Sequence, residues 1–568
     1  MKLKRNAILL VALMLCCMQA YAQQNIYINQ VGYQKHQIKK VLTDYLASSF
    51  DVINVQTGEI AYSGSFSLRA ENDVCSGMIL YEGDFTPLNV EGNYLIRVHS
   101  SINSGITSYT FNIADAVYTD VIEKANKALF LQRCGMEIEA KYAGQFARHI
   151  CHTEDCYYHP NCEQTGTKSM TGGWHDAGDY GKYTAPGSVT IGILYASYEL
   201  NKDKWQSDEW GIPESGNGVP DVLDEIRYEL NWLFKMQRTD GAVHEKVHTK
   251  DYVQFIMPSE GEVPQFIYEV SSTATADFAA IMAKSWRIFE SIDNAFAEEC
   301  LRAAILAYGY LDEHPDIFPE GGFKNPADTK AGGYSDGYDK DERIWAAAEM
   351  YLSTGKKKYL SDFMELNRIF KSQFSEPGWI NLAALGFYSL LLANDNKLKG
   401  IQDALKKGLH KYCQQHIDVA KNEGFGIGMS ADDYTWGSNG TVLFKAMNLV
   451  MANLVLADKA SGELAARHLG YILGLNPNKV CYVTGVGTNR ILHLHHAPTV
   501  SDLNVEPIPG IMTGGPNKYR NDEALQNVFD ENTPPACCFL DNEESYSSNE
   551  NTIYTNAALQ FVATYFND

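Results

Sequence analysis

From Ile26 to about Ile113 apolar and polar positions alternate in short runs: Asn25 to Asn29, Lys40 to Asp44, Phe50 to Val55, Asn93 to Val98 and Tyr109 to Ile113. Gly, Asn, Asp and Ser fill the gaps between them. A period of two turns one face of each run inward, so this stretch predicts a small β-sandwich. After Ala114 the period lengthens to that of a helix. Twelve segments carry it: 117–133, 188–201, 219–237, 272–290, 295–312, 342–354, 357–371, 380–394, 397–416, 440–459, 463–474 and 552–566. Between them only short pieces such as Val480 to Thr484 read as strand. A dozen amphipathic helices in one unit predict six hairpins closed into a ring, an α/α toroid whose long loops at one end form a groove. The segment 475–551 has no helical pattern, is too long for an ordinary connection, and is rich in His, Gly, Pro, Tyr and acidic residues. It is expected to wall the functional site.

The first 22 residues change the compartment. Lys2, Lys4 and Arg5 precede an apolar run from Ala7 to Cys17, and Ala20-Tyr21-Ala22 forms a small-x-small cleavage site. This predicts an export signal, a mature chain starting near Gln23, and a periplasmic or secreted protein. A lipoprotein would use Cys16 or Cys17, but the residues before them are bulky. No later apolar stretch approaches the ~20 residues of a membrane span. The resulting division is 1–22 signal, 23–114 β-sandwich and 115–568 helical domain.

Of 568 residues 45% are hydrophobic and 21% charged, enough for a large folded core. Acidic residues outnumber basic ones 70 to 47, for a formal charge of −23, which excludes nucleic acid as a partner. The chain is expected to act as a monomer on a neutral or cationic substrate. Its 34 Tyr, 24 Phe and 8 Trp suit flat ligand faces, and serve packing equally well.

Two segments carry candidate chemistry. In Gly172-Gly-Trp174-His175-Asp176-Ala-Gly-Asp179-Tyr180-Gly-Lys-Tyr183 two carboxylates stand three residues apart on one tight loop, where they can share a water. Charges that close raise one pKa, as a general base and its partner require. The alternative is an Asp-rich turn capping the next helix. Near the carboxyl terminus, Glu550 follows Ser545-Tyr546-Ser-Ser-Asn549 at the start of the last helix. It is either an acid favoured by the helix dipole or, beside desolvating aromatics such as Tyr546, a protonated general acid.

Together these segments resemble the family-9 glycoside hydrolases. The Trp174 to Tyr183 run matches that family's base motif, and Ser545 to Glu550 with Asn556 its acid motif. Gly474-Leu-Asn-Pro, Tyr482 to Thr488, His495-His496 and Pro509 to Asn517 follow in the family's order. Ile28-Asn-Gln-Val-Gly-Tyr33 resembles the opening of the immunoglobulin-like domain that precedes one branch. The resemblance implies an (α/α)6 barrel and inverting hydrolysis of β-1,4-glucans, in which a carboxylate and a carboxylic acid stand about 6.5–9.5 Å apart. By carry-over Asp179 is the base, Asp176 helps hold the attacking water, and Glu550 is the acid. His495, Trp174, Tyr434, Trp436 and Tyr546 are the expected sugar contacts; core or rim packing is the alternative for the four aromatics. The partner is then a β-glucan polysaccharide or oligosaccharide. Two positions depart from the family: Ala497 stands where an Arg contacts the sugar, and Thr555 where an aromatic is usual. Both changes suit a weak enzyme or a site widened for a branched glucan such as xyloglucan. An exo-acting hydrolase of cello- or glucosamine-containing oligosaccharides is the enzymatic alternative, and a non-catalytic glycan-binding protein the other.

Ten cysteines follow the signal, an even number that permits disulfides. Cys134, Cys151, His152 and His175 resemble the zinc site of the same branch, and two thiolates with two imidazoles make a neutral set for Zn²⁺. A Cys134–Cys151 disulfide is the alternative, and Cys156 and Cys162 could bridge. A calcium site is expected at Ser335, Asp341 and Glu342 by resemblance, and the alternative is a set of helix-start acids. The spacing is not that of an EF-hand.

Overall fold

The computed structural model describes residues 25–100, 104–261, 263–502 and 504–568; the export signal expected at 1–22 lies outside the described residues. The amino-terminal strands are β1 (Ile26–Tyr27), β2 (Gly32–Tyr33), β3 (Lys40–Thr43), β4 (Ala47–Asn54), β5 (Ile60–Ala70), β6 (Leu80–Asp84), β7 (Gly92–Ser100), β8 (Ser104–Thr107) and β9 (Phe111–Ile113). They pair in the order β1-β3-β6-β5-β4-β7-β9-β2, with β8 added to β7. The first half of β5 pairs with β4 and its second half, from Phe66, with β6, so one strand carries the chain between layers. Phe50, Val52, Ile96 and Val98 meet Val41, Phe85 and Phe111 in the core between them. β5 escapes the sequence pattern because Ser63, Gly64, Ser65 and Ser67 break up its apolar positions.

Twelve long helices follow: α1 (Thr119–Phe130), α2 (Thr184–Leu200), α3 (Asp221–Met236), α4 (Ser272–Phe289), α5 (Asn294–Glu313), α6 (Lys340–Thr354), α7 (Lys357–Phe370), α8 (Ala383–Leu392), α9 (Lys399–Asn422), α10 (Ser438–Leu456), α11 (Lys459–Ile472) and α12 (Ile553–Tyr565). The even-numbered helices are buried almost all round and form the inner ring. The odd-numbered ones bury one face against it and expose the other. Helix α12 packs on both α2 and α10, closing the ring. Helix α10 is long and apolar enough to cross a membrane, but this composition serves its place inside the barrel, where it packs on α9, α11 and α12.

Between the helices the structure has a sheet that the sequence pattern did not predict. Strands β10 (Cys156–Tyr158), β11 (Thr167–Lys168), β12 (Lys182–Tyr183), β13 (Lys246–His248) and β14 (Phe266–Ile267) pair in the order β11-β10-β14-β13-β12. Runs of two or three residues are too short for periodicity to register. Val480 to Thr484, expected as strand, makes only single bridges, Cys481 with Arg490 and Val483 with Met512.

The sandwich is seated on the barrel. Gln30 N–H donates to Leu473 O at 2.9 Å, Tyr118 OH to Gly32 O at 3.2 Å, and Gly424 N–H to Asp73 Oδ1 at 2.8 Å. The ring of Tyr27 stands edge-on to Phe425 at 5.2 Å.

Candidate active site and metal-ligating clusters

Every side chain of the candidate site comes from a segment leading into an inner helix. Asp176 and Asp179 precede α2, His248 precedes α4, Tyr334 precedes α6, Trp379 precedes α8, Trp436 precedes α10, and Glu550 precedes α12. Their mutual contacts place all six segments at one end of the ring.

The loop carrying the two aspartates rests on the barrel wall. Trp174 N–H donates to Glu229 Oε2 and its indole N–H to Glu225 Oε1, both at 2.7 Å, and Arg133 pairs with Glu225 behind it. Gly173 has φ 79°, and a Cβ there would sit 2.7 Å from the Trp232 ring, so only glycine fits. Asp176 N–H closes the loop on Gly181 O, while Asp176 O accepts from Ile553, the first residue of α12.

This places three carboxyl groups together. Tyr334 OH donates to Asp176 Oδ2. Asp179 Oδ1 accepts from Gly181 N–H at 3.1 Å, and Asp179 Oδ2 lies 3.0 Å from His248 Nε2. Gly178 N–H donates to Glu550 Oε1 at 3.2 Å, which fixes Glu550 against the aspartate loop. Burial pushes the Asp176 carboxyl up to about 8, with the charge of Asp179 adding to it. Burial would raise Asp179 too, but His248 and the Gly181 amide outweigh it and hold this carboxyl below its ordinary range. Glu550 is raised well above its ordinary value by burial and by the charge of Asp179. One group is therefore held as the carboxylate and its counterpart as the acid.

The aromatic expectations divide. Trp436 (51% exposed) and Tyr546 (38%) stand 5.4 Å apart, and His495 lies 6.0 Å from Tyr546 and 5.0 Å from Phe255, making a rim beside Glu550. Trp174 and Tyr434 are corrections: each is 1% exposed and belongs to the core. The hydrogen bonds of Trp174 turn it into the wall under the loop, and Tyr434 packs inward beside Tyr471. Sequence reasoning missed His248 and Tyr334, which bond the two aspartates, and Trp379, whose ring packs on Tyr334 at 5.0 Å. Each sits in a different loop with no local pattern. The Arg490 guanidinium is engaged by both carboxylate oxygens of Glu506.

One cluster beside this site could hold a metal, and another gathers buried carboxyl groups. Ligand atoms of Cys134, Cys151, His152 and His175 all lie within 4.8 Å of one another. Cys134 Sγ is 3.5 Å and His175 Nε2 3.3 Å from His152 Nδ1, and Arg148 donates to Cys151 Sγ at 3.4 Å. His152 adopts φ 50°, an uncommon backbone region. All ten cysteines among the described residues are free. Cys156 and Cys162 do not bridge; their thiols face Gln265 Oε1 and Ile267 O.

The second cluster gathers Asp277 of α4, Asp336, and Asp341 and Glu342 in the first turn of α6. Both oxygens of Asp277 and one each of Asp336, Asp341 and Glu342 are buried with no hydrogen-bond partner among the described residues. Burial pushes Asp341 up to about 7 and raises Asp277 and Glu342 further, with the neighbouring carboxylates adding to it. Ser335 of the expected set is exposed, whereas Asp277 and Asp336 were not expected.

A helical ring with paired aspartates and an opposed carboxylic acid at one end is the architecture of a glycoside hydrolase. The chain belongs to glycosyl hydrolase family 9, whose profile matches residues 118–563, and residues 21–102 match the cellulase N-terminal ig-like domain. It is 33% identical over 558 residues to a cellodextrinase of Butyrivibrio fibrisolvens, spanning 95% of this chain and 99% of that protein. It is 34% identical over 562 residues to a xyloglucan-specific endo-beta-1,4-glucanase of Bacteroides ovatus, spanning 95% and 93%. Among solved structures, a Zn-binding triple mutant of the family-9 endoglucanase J30 superposes with a TM-score of 0.88 at 29% identity, covering 94% of this chain and 99% of that one.

Proposed function

We propose that this enzyme is an exported, inverting endo-β-1,4-glucanase acting on β-glucans, with xyloglucan or mixed-linkage glucan among its substrates. The observation that carries the roles is the joining of Glu550 to the aspartate loop through the Gly178 amide, with opposite pKa displacements on Asp179 and Glu550. Asp179 takes a proton from the attacking water, which Asp176 helps to hold. Glu550 gives its proton to the leaving glycosidic oxygen. His248 keeps Asp179 ionised, and Tyr334 orients Asp176. Trp436, Tyr546 and His495 offer faces and edges to sugar rings, and the two relatives named above support a glucan substrate.

Zinc fits Cys134, Cys151, His152 and His175, since two sulfurs and two ring nitrogens already converge. It supplies no chemistry there beyond a structural link between the end of α1 and the aspartate loop. Calcium fits Asp277, Asp336, Asp341 and Glu342, whose hard, unpartnered oxygens suit it, and it would join α4 to α6.

The test is incubation with β-glucan, xyloglucan and cello-oligosaccharides, with products resolved by size and by anomeric NMR. Mixed internal fragments of inverted configuration are expected. Only one short product from the chain ends would establish the exo-acting reading that the cellodextrinase relative favours, and retained configuration would overturn the roles of Asp179 and Glu550.

A further inference from the structure

A third cluster lies where the sandwich meets the barrel. One carboxylate oxygen of Asp73, Cys75 Sγ and one carboxylate oxygen of Glu423 lie within 4.8 Å of one another. Asp73 and Cys75 belong to the turn between β5 and β6, and Glu423 follows the last residue of α9. All three residues are buried, none more than 5% exposed. Asp73 is already placed: its Oδ2 accepts from Ser76 N–H and Oγ–H, and its Oδ1 from Gly424 N–H. Glu423 Oε2 accepts from Ile427 N–H at 2.9 Å, but its Oε1 is buried without a partner among the described residues. A carboxylate oxygen left bare in a protein interior costs free energy unless something else satisfies it.

We propose that Asp73, Cys75 and Glu423 bind a thiophilic divalent cation of the zinc class across the seam between the two domains. One sulfur and two carboxylate oxygens are ligand types that zinc accepts, and Met429 O, 3.9 Å from Cys75 Sγ, is available beside them. The donors select against calcium, which prefers oxygen throughout. Binding releases the Cys75 thiol proton, and any proton on Glu423, to solvent. The bound unit, two carboxylates and a thiolate around a dication, carries a net charge of −1, and the neighbouring Arg69, Arg467 and Lys445 offset it. Arg69 donates to Glu423 O at 2.9 Å, so a cation stands within the arrangement. The ion would be held by ligands from both domains and by neither alone.

The experiment counts zinc per chain after loading the full protein with zinc and desalting, in the native form and in Cys75→Ser/Glu423→Gln. The expected result is a loss of one zinc per chain in the variant. Cys134→Ser/Cys151→Ser should keep that ion, so failure of this site and failure of the cluster near the cleft are told apart. Equal counts in the native protein and the Cys75→Ser/Glu423→Gln variant would overturn the proposal. If that variant does not fold, anomalous scattering at the zinc edge from zinc-loaded native crystals decides instead: a peak among the three residues supports the site, and no peak there rejects it.

Discussion

The Gly178 amide donates to Glu550 Oε1 at 3.2 Å, joining residues 372 positions apart in the chain. The same glycine accepts from Ala497 N–H at 2.7 Å, so the aspartate loop, the long segment after α11 and the start of the approach to α12 meet at one residue. A Cβ on Gly178 would sit 2.4 Å from His495 O and 3.1 Å from Glu550 Oε1. Gly178→Ala should therefore part acid from base. Displacements of about 1 Å cost on the order of 10²-fold in rate. We expect a fall in kcat of that size with a near-native circular dichroism spectrum; native kcat would show that the loop absorbs the methyl.

The two catalytic roles separate by leaving group. Asp179→Asn and Glu550→Gln should each lower polysaccharide hydrolysis by about 10²-fold or more. On a cellobioside whose aryl leaving group needs no proton, Glu550→Gln should recover most of its rate and Asp179→Asn none. Equal recovery by both variants, measured by release of the aryl group, would exchange or dissolve the roles.

The acidic limb of the pH profile tests His248. The base works only when ionised, and His248 lies 3.0 Å from Asp179 and holds its pKa down. Removing that partner leaves mainly the Gly181 amide to oppose burial, so the folded-state pKa rises. In His248→Asn the acidic limb of kcat/KM should move to higher pH. The basic limb, set by loss of the Glu550 proton, should stay near its native position. An unmoved acidic limb would remove His248 from this role.

Metal at the Cys134 cluster should be felt in the cleft. His175 is bonded directly to Asp176 in the chain, and its N–H donates to Gln132 O at the end of α1. Chelation, or Cys151→Ser, should lower both the Tm and kcat, with readdition of zinc restoring the chelated native protein alone. A Cys134–Cys151 disulfide found by mass spectrometry in metal-free protein would establish the alternative.

Why the sequence revealed some features and hid others follows from distance along the chain. All twelve long helices announce themselves, the outer ones by a one-faced apolar spacing and most of the inner ones by largely apolar runs, so only the outer six bury a single face as expected. Asp176, Asp179 and Glu550 are legible because each motif is continuous. His248, Tyr334 and Trp379 are not, since what unites them is the ring itself, which brings separate loops together only after closure. Trp174 and Tyr434 mislead for a related reason: lying next to a site in sequence does not say which way a side chain faces. Asp277 hides inside α4, 59 residues before Asp336, the next acid of its cluster in the sequence, and only the packing of α4 against α6 brings them together.

The closing of the ring by α12 on α2 also sets an order of events during synthesis. Glu550 and the helix that locks it in place follow the other eleven long helices in the chain, so those helices can be made before the acid exists. A nascent chain that has passed α11 but not Glu550 holds most of the ring and lacks its acid. Hydrolysis consequently reports on the closed ring, and because closure needs α12 docked on α2 and α10, activity in a refolding experiment should appear behind the recovery of helical signal.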